Sequence, residues 1–165
     1  SCEYEENLGI LRQVDFFSGL PLEATKVFAF LCDREHFRKG DLLFEEGDED
    51  GKAYYFISGK AELLRQHDDQ WVTLRVFEAR DFIGRLALLG NVRRLFTLKA
   101  AEDLTCLVLT KEKFSRALEQ FPDLMSKLIK VAVQNVNDWE KGFLKTCVAD
   151  DQCGACRGRT GVSLV

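Results

Sequence analysis

The chain has 165 residues, of which 46% are hydrophobic and 30% are charged, enough apolar material for the core of one domain. Its net charge of -4, with Lys and Arg dispersed along the chain, argues against a basic surface for nucleic acid. No apolar run approaches the ~18 residues of a membrane span. The composition therefore indicates a single globular domain, which we expect in the cytoplasm.

The first part of the chain is predicted to be helical. Apolar residues recur at helical spacing over 3–14 and again over 21–32. Pro21 falls at a first-turn position, where its missing N–H costs nothing. Neither predicted helix carries residues that suggest a chemical activity.

The middle of the chain is predicted to be mainly β. Glycine turns at Gly40, Gly47 and Gly59 separate short runs of aromatic and branched residues, a spacing typical of a β-sandwich or barrel. Strands 71–77 and 104–109 carry apolar residues on both faces, which predicts burial on both sides. The predicted strands cover 42–44, 54–57, 61–64, 71–77, 96–100 and 104–109.

The segment 81–89, followed by Arg94, is the most specific motif. Gly84 can adopt a positive φ or let the backbone approach a ligand, and the four residues after Arg85 can form one helical turn whose free N–H groups face an anion. Arg94 could add a two-pronged hydrogen bond to a phosphate. The alternative is an ordinary turn glycine and a solvated arginine.

Two more helices are predicted at the C-terminal end. The first covers 111–120 with Thr110 as its cap, and the second begins after Phe121-Pro122 and runs to about 146. The second helix repeats apolar residues at intervals of four and three, a seam that predicts a parallel homodimer. The alternative is one broad apolar face that packs on the barrel. The seam consists of Met125, Ile129, Ala132, Val136, Trp139 and Phe143.

The chain resembles the cyclic-nucleotide-binding domain family from about residue 14 to 144. The resemblance is carried by Gly47-Asp48 with 54–59, by 82–89 with Arg94, and by the helices after Lys111. It implies a mainly β fold, a jelly-roll-like β-roll with N-terminal helices and a long C-terminal dimerisation helix. It also implies a regulatory module for a small anionic effector such as cyclic AMP or cyclic GMP. The implied ligand-binding residues are Gly84, Arg85, Leu86, Ala87, Arg94 and Leu95.

Two positions in this motif depart from the family pattern. Family members that bind cyclic nucleotides usually carry a glutamate after the glycine, which accepts a hydrogen bond from the ribose; here the residue is Arg85, which has no acceptor. Leu95 replaces a small residue and is expected to narrow the pocket. Arg85 and Arg93 either increase the attraction for anions or pair with acids such as Glu78 and Asp81. An altered nucleotide pose, another anionic effector and a pocket without a ligand all remain open.

The remaining residues, 147–165, form a predicted cysteine-containing tail after the sensor domain, 1–146. Cys147, Cys153 and Cys156 have the spacing of ligands for an iron-sulfur cluster or zinc, one short of a closed site. The alternative is a flexible tail with reduced thiols, and Cys32 and Cys106 are expected in the core. About 20 residues follow the long helix, too few for a winged helix, so we expect no direct DNA binding.

These observations favour a non-enzymatic sensor that couples an effector to movement of the dimer helix. With His36 and His67 as its only histidines, the chain offers no recognisable catalytic arrangement. The alternative function is a redox or metal sensor that uses the C-terminal cysteines on a ligand-free barrel.

Overall fold

A computed structural model describes the backbone of residues 2–149 and the side chains of residues 2–145. Two antiparallel four-stranded sheets, in the orders β1-β8-β3-β6 and β2-β7-β4-β5, form a β-roll. This confirms the predicted fold class, although the sheets do not join into a closed barrel. The strands are β1 (Asp33–Phe37), β2 (Leu42–Phe44), β3 (Lys52–Ser58), β4 (Ala61–His67), β5 (Gln70–Phe77), β6 (Phe82–Ile83), β7 (Thr97–Ala100) and β8 (Leu104–Thr110).

Helices flank the two sheets at both ends of the described chain, as predicted. The predicted cap of the fifth helix is present, because the Thr110 side chain accepts a hydrogen bond from the N–H of Lys113. None of the described helices is long and apolar enough to cross a membrane. The helices are α1 (Cys2–Gln13), α2 (Asp15–Ser18), α3 (Leu22–Leu31), α4 (Arg85–Leu89), α5 (Lys111–Glu119) and α6 (Leu124–Ala149).

One hydrophobic core fills the space between the sheets and a second lies between the first sheet and the helices. Strand β8 contributes to both, because alternate side chains point to opposite faces. Its Cys106 and Val108 lie in the inner core, whereas Leu107 and Leu109 pack toward the helices. The predicted burial of both faces is therefore correct for β8.

The same prediction is wrong for β5, which is an edge strand of the second sheet. Trp71, Val72 and Val76 are 60%, 43% and 47% exposed, and only Phe77 is fully buried. Apolar residues on both faces of a strand do not show whether either face is covered, because the elements that would cover it are distant in sequence.

Helix α6 packs on the helical core by its first turns. Leu124 and Leu128 are buried there with Phe114, and Ala132 is also buried. Of the predicted seam, Met125 and Ile129 remain 37% and 47% exposed. The helix therefore has one apolar side on its own domain and another that is open along part of its length.

Candidate anion-binding site at the cassette

The segment from Gly84 to Arg94, here called the cassette, is pressed against β3. Gly84 has a left-handed φ of +89°, and a Cβ at this position would lie 2.5 Å from the carbonyl oxygen of Lys52. Glycine is required for both reasons. The turn of α4 follows at once and is held by Ala87, which is buried and donates its N–H to the carbonyl of Gly84 (3.0 Å).

Arg94 approaches the same carbonyl from the other side. Its side chain is only 5% exposed, and Nε donates to Oδ1 of Asp50 at 2.8 Å. Nη2 donates to the carbonyl oxygen of Lys52, and the guanidinium lies 4.1 Å from the ring centroid of Phe44. The predicted glycine and arginine are thus brought together at the end of β3.

The guanidinium of Arg94 keeps donors for a further partner. The bonds to Asp50 and Lys52 use Nε and Nη2, and no protein acceptor bonds to Nη1. Nη1 therefore has no acceptor among the described residues, although the side chain as a whole is only 5% exposed. An anion could therefore bind Nη1 while the other bonds persist.

Asp50 is fixed by Tyr54 as well as by Arg94. The Tyr54 hydroxyl has one proton to donate and lies within hydrogen-bond distance of two acceptors, Oδ2 of Asp50 at 3.3 Å and the carbonyl oxygen of Leu43 at 3.2 Å. Burial raises the pKa of Tyr54, and the charge of Asp50 raises it further, so the hydroxyl stays protonated and remains a donor. The Asp50 side chain is 16% exposed, whereas its acidic neighbours Asp48 and Glu49 are exposed, so the acidic composition of this segment does not single it out.

Arg85 points to the helices. Its Nη1 lies 3.6 Å from Oδ2 of Asp15 on α2, and its guanidinium lies 5.5 Å from the ring of Phe82. Asn135 of α6 joins them in the amide orientation that satisfies both neighbours: its nitrogen donates to Asp15 at 3.2 Å and its oxygen accepts from Arg85.

The other residues of the motif differ in exposure. Arg93 pairs with Glu49 at 2.9 Å on the surface. The ion-pair partners of Arg85 and Arg93 are thus Asp15 and Glu49, and not Glu78 and Asp81, the acids suggested by the sequence. Leu95 is 62% exposed, and Leu86 is half-buried.

Metal ligands are not assembled in the part of the chain with described side chains, where no group of His, Cys, Asp and Glu could hold an ion. Cys32 and Cys106 lie in the core, as predicted, and burial raises the pKa of each thiol to about 12, which keeps it protonated. Of the predicted cysteine ligands, Cys153 and Cys156 lie outside the described residues, and the side chain of Cys147 is not among those described.

The fold and this site define a regulatory ligand-binding domain of the β-roll class. The sequence profile of the cyclic nucleotide-binding domain matches residues 34–121, more than half of the chain. The chain belongs to the cyclic nucleotide-binding domain family, whose domain is a regulatory module.

Known proteins similar to this chain include kinases and regulators. Human cGMP-dependent protein kinase 2 is 26% identical over 150 residues, which cover 88% of this chain and 20% of the kinase. The chain thus spans about a fifth of that relative. The N-terminal domain of a transcriptional regulator from Streptomyces coelicolor A3(2) has a TM-score of 0.71 at 24% identity, covering 81% of this chain and 94% of that domain.

A third similar structure was solved with a nucleoside. It is the regulatory subunit of a cAMP-independent protein kinase A from Trypanosoma cruzi bound to guanosine, with a TM-score of 0.66 and 23% identity. The match covers 88% of this chain and 51% of that subunit. At this identity the likeness extends to the fold alone.

The buried pair of Arg94 with Asp50 lies next in sequence to the exposed pair of Arg93 with Glu49, so the contributions of the two pairs to stability can be compared. Replacing Asp50 by Ala would leave the guanidinium of Arg94 buried without its carboxylate, so we expect the free energy of unfolding to fall by about 3 kcal/mol. Replacing Glu49 by Ala removes only the exposed pair with Arg93 and should cost less than about 0.5 kcal/mol. Urea unfolding of both variants measures the difference, and equal losses would mean that Arg94 does not depend on Asp50.

Proposed function

We propose that this chain is a non-enzymatic sensor module whose effector places an anionic group between the cassette and Arg94. The observation that carries the proposal is the contact of Gly84 and Arg94 with one carbonyl, that of Lys52. This shared carbonyl brings the guanidinium of Arg94, whose Nη1 has no acceptor among the described residues, near Gly84, where α4 starts. A phosphate there would receive charge-assisted hydrogen bonds from a guanidinium already fixed by Asp50.

Cyclic nucleotides are the first candidate effectors because of the family, but Arg85 changes the expected mode of binding. Arginine has no acceptor for a ribose hydroxyl, and here its guanidinium is engaged with Asp15 and Asn135. An unpaired buried hydroxyl costs about 1–3 kcal/mol, which weakens binding about 5- to 150-fold. The guanosine-bound regulatory subunit with the same fold makes an uncharged nucleoside the natural second candidate.

A calorimetric titration with cyclic AMP, cyclic GMP and guanosine tests the anion site. We expect at least one cyclic nucleotide to bind, and we expect Arg94→Lys to weaken its binding at least about tenfold, because lysine cannot keep the bonds to Asp50 and Lys52 while contacting a phosphate. Guanosine has no phosphate, so its affinity should be the same for both proteins.

The matched control is Arg93→Lys, a similar change at a residue whose side chain is 76% exposed. It should leave every affinity unchanged. A cyclic nucleotide that binds equally well to the Arg94→Lys variant would contradict the assignment of Arg94. Absence of binding by all three compounds would leave an anionic effector of another chemistry as the proposal.

We also propose that Arg85 couples the cassette to the helices. Its partners Asp15 and Asn135 belong to α2 and α6, so one guanidinium connects three elements. An effector that shifts α4 must either carry these helices along or break the contacts. In both cases the ligand changes the relative stability of two helix arrangements, which is the requirement for a population shift.

A double-mutant cycle on Arg85 and Asp15 measures this coupling. We expect Arg85→Ala and Asp15→Ala to have non-additive effects on the free energy of unfolding, with an interaction of about 0.5–1 kcal/mol for this partly exposed pair. Hydrogen exchange of the backbone near Asn135 should become faster in each single variant. Arg116→Ala, which removes a surface pair with Glu112 of α5, serves as the control; additive effects would exclude a functional contact between Arg85 and Asp15.

The output surface that we propose is a homodimer through α6. A groove of about 380 Å³ runs between α4 and α6. It is lined by apolar side chains and by the polar Asn137 and Glu140. The apolar side chains are Leu86, Leu89, Ile129, Ala132, Val133 and Val136. Ile129, Ala132 and Val136 of the predicted seam line this groove, and Val133 beside them is 61% exposed. Their heptad spacing is that of a helix face that packs against another apolar helix. A second copy of α6 supplies that helix. Because Leu86 and Leu89 belong to α4, dimer contact and cassette position are linked.

Sedimentation equilibrium tests the dimer. The wild-type chain should sediment at twice the monomer mass, and Ile129→Glu should sediment as a monomer, because a carboxylate would be buried in the apolar groove. Lys130→Glu changes an adjacent exposed residue outside the groove and should not alter the mass. A monomeric wild-type protein, or a dimer that tolerates Ile129→Glu, would disprove this interface.

A further inference from the structure

A second cavity lies between the N-terminal helices and the edge strands β5 and β6. Its volume is about 510 Å³, within the range of sites for small organic molecules. Arg94 is not among the residues that line it. Its apolar surface is formed by the aromatic side chains of Tyr55, Phe77 and Phe82, together with Ile83.

Three arginines and two aspartates line the same cavity, but the aspartates already have partners. Asp15 pairs with Arg85, and Oδ2 of Asp81 accepts the N–H of Glu78 at 2.9 Å. In contrast, neither Arg75 nor Arg80 has a carboxylate within ion-pair distance among the described residues. The bond from Glu78 is made by a neutral N–H and leaves the charge of Asp81 in place, so three arginines and two aspartates give the cavity one net positive charge. Arg75 and Arg80 are the two guanidinium groups of the cavity without an ion pair to a described residue.

The backbone of Arg80 provides independent support for a ligand. Arg80 has a φ of +79°, a left-handed conformation that costs a residue with a Cβ free energy and that glycine adopts without strain. Arg80 lies in a turn closed by the bond from the N–H of Asp81 to the carbonyl of Glu78 at 3.1 Å, and its own N–H donates to the carbonyl of Phe56 on β3 at 2.8 Å. A strained arginine with no protein partner for its charge, where glycine would fit better, indicates a function for the guanidinium.

Arg75 is held above the aromatic surface. Its guanidinium carbon lies 4.9 Å from the ring centroid of Phe77, a cation–π contact that limits its freedom before any ligand binds. Tyr55 and Phe77 are 8% and 2% exposed, so a flat apolar part of a ligand would rest mainly on the half-buried ring of Phe82 while its anionic group contacts Arg75 and Arg80. Two guanidinium groups are suited to a phosphate, which accepts several hydrogen bonds.

From these contacts we infer that the cavity beside Arg75 and Arg80 is a second anion site, which binds a small organic molecule with a phosphate group and a flat apolar portion. Of the cassette, only Arg85 lines this cavity, so the inference does not depend on Arg94: it stands if Arg94 binds nothing, and it can fail while Arg94 binds its effector.

Titration with adenosine monophosphate, with adenosine as the phosphate-free comparison, tests the site. We expect adenosine monophosphate to bind and adenosine to bind at least about tenfold more weakly. Arg80→Gly should weaken binding of adenosine monophosphate about 10- to 100-fold, because one charge-assisted contact is lost. The melting temperature should stay the same or rise, because glycine relieves the left-handed strain at this position. Loss of binding without loss of stability is a result that a structural arginine would not give.

Two controls separate charge and backbone effects. Arg116→Gln removes one positive charge from an exposed position on α5, and Asp69→Gly introduces glycine at another left-handed residue, with a φ of 60°. Both should leave binding unchanged.

The variant Arg94→Lys assigns the binding to one site or the other. It should have no effect on adenosine monophosphate if the cavity beside Arg75 and Arg80 is the site. Binding that is lost in Arg94→Lys and kept in Arg80→Gly would place the ligand at the cassette and overturn the inference. Absence of binding by the wild-type chain would overturn it as well.

Discussion

The burial of one guanidinium group, that of Arg94, determines much of the structure around the cassette. Removing such a charge from water costs several kcal/mol unless a counter-charge and hydrogen-bond acceptors compensate it. Asp50, the carbonyl of Lys52 and the ring of Phe44 supply that compensation. These three groups come from the loop after β2, from β3 and from β2, so the paired arginine fixes the loop 45–51 against two strands.

The backbone of Arg94 is bonded to the same loop as its side chain. The N–H of Arg94 donates to the carbonyl of Asp48 and its own carbonyl accepts from Gly47, both at 2.8 Å. Gly84 must approach the carbonyl of Lys52 closely enough that no Cβ fits. The pair of Arg94 with Asp50 also has a consequence for ligands, because it is neutral as a whole. A bound anion therefore gains less from long-range attraction than from the direct hydrogen bonds of Nη1 and the backbone of α4, which favours ligands whose oxygen atoms match these donors.

The sequence contained enough information for the long elements and for Gly84 and Arg94, but not for their partners. Helices α1, α3, α5 and α6 show a clear periodicity, whereas β1 has the mostly polar sequence DREHF and exists because it pairs with β8. The two-residue β6 and the four-residue α2 are too short for any periodic pattern. Asp50 is 44 residues from Arg94 along the chain, so its contact depends on the tertiary fold, and its acidic neighbours concealed it.

The residue after Gly84 shows how one side chain can exchange a ligand contact for a contact within the protein. A glutamate at position 85 in the present backbone would bring a second carboxylate near Asp15, and the neutral amide of Asn135 could not compensate the repulsion between the two charges. Arginine removes this repulsion and gives Asp15 and Asn135 a common partner. The same change removes an acceptor from the cassette. In the proposed sensor, selectivity for the effector and attachment of the cassette to α2 and α6 would therefore depend on the same side chain, and we expect a substitution there to alter both.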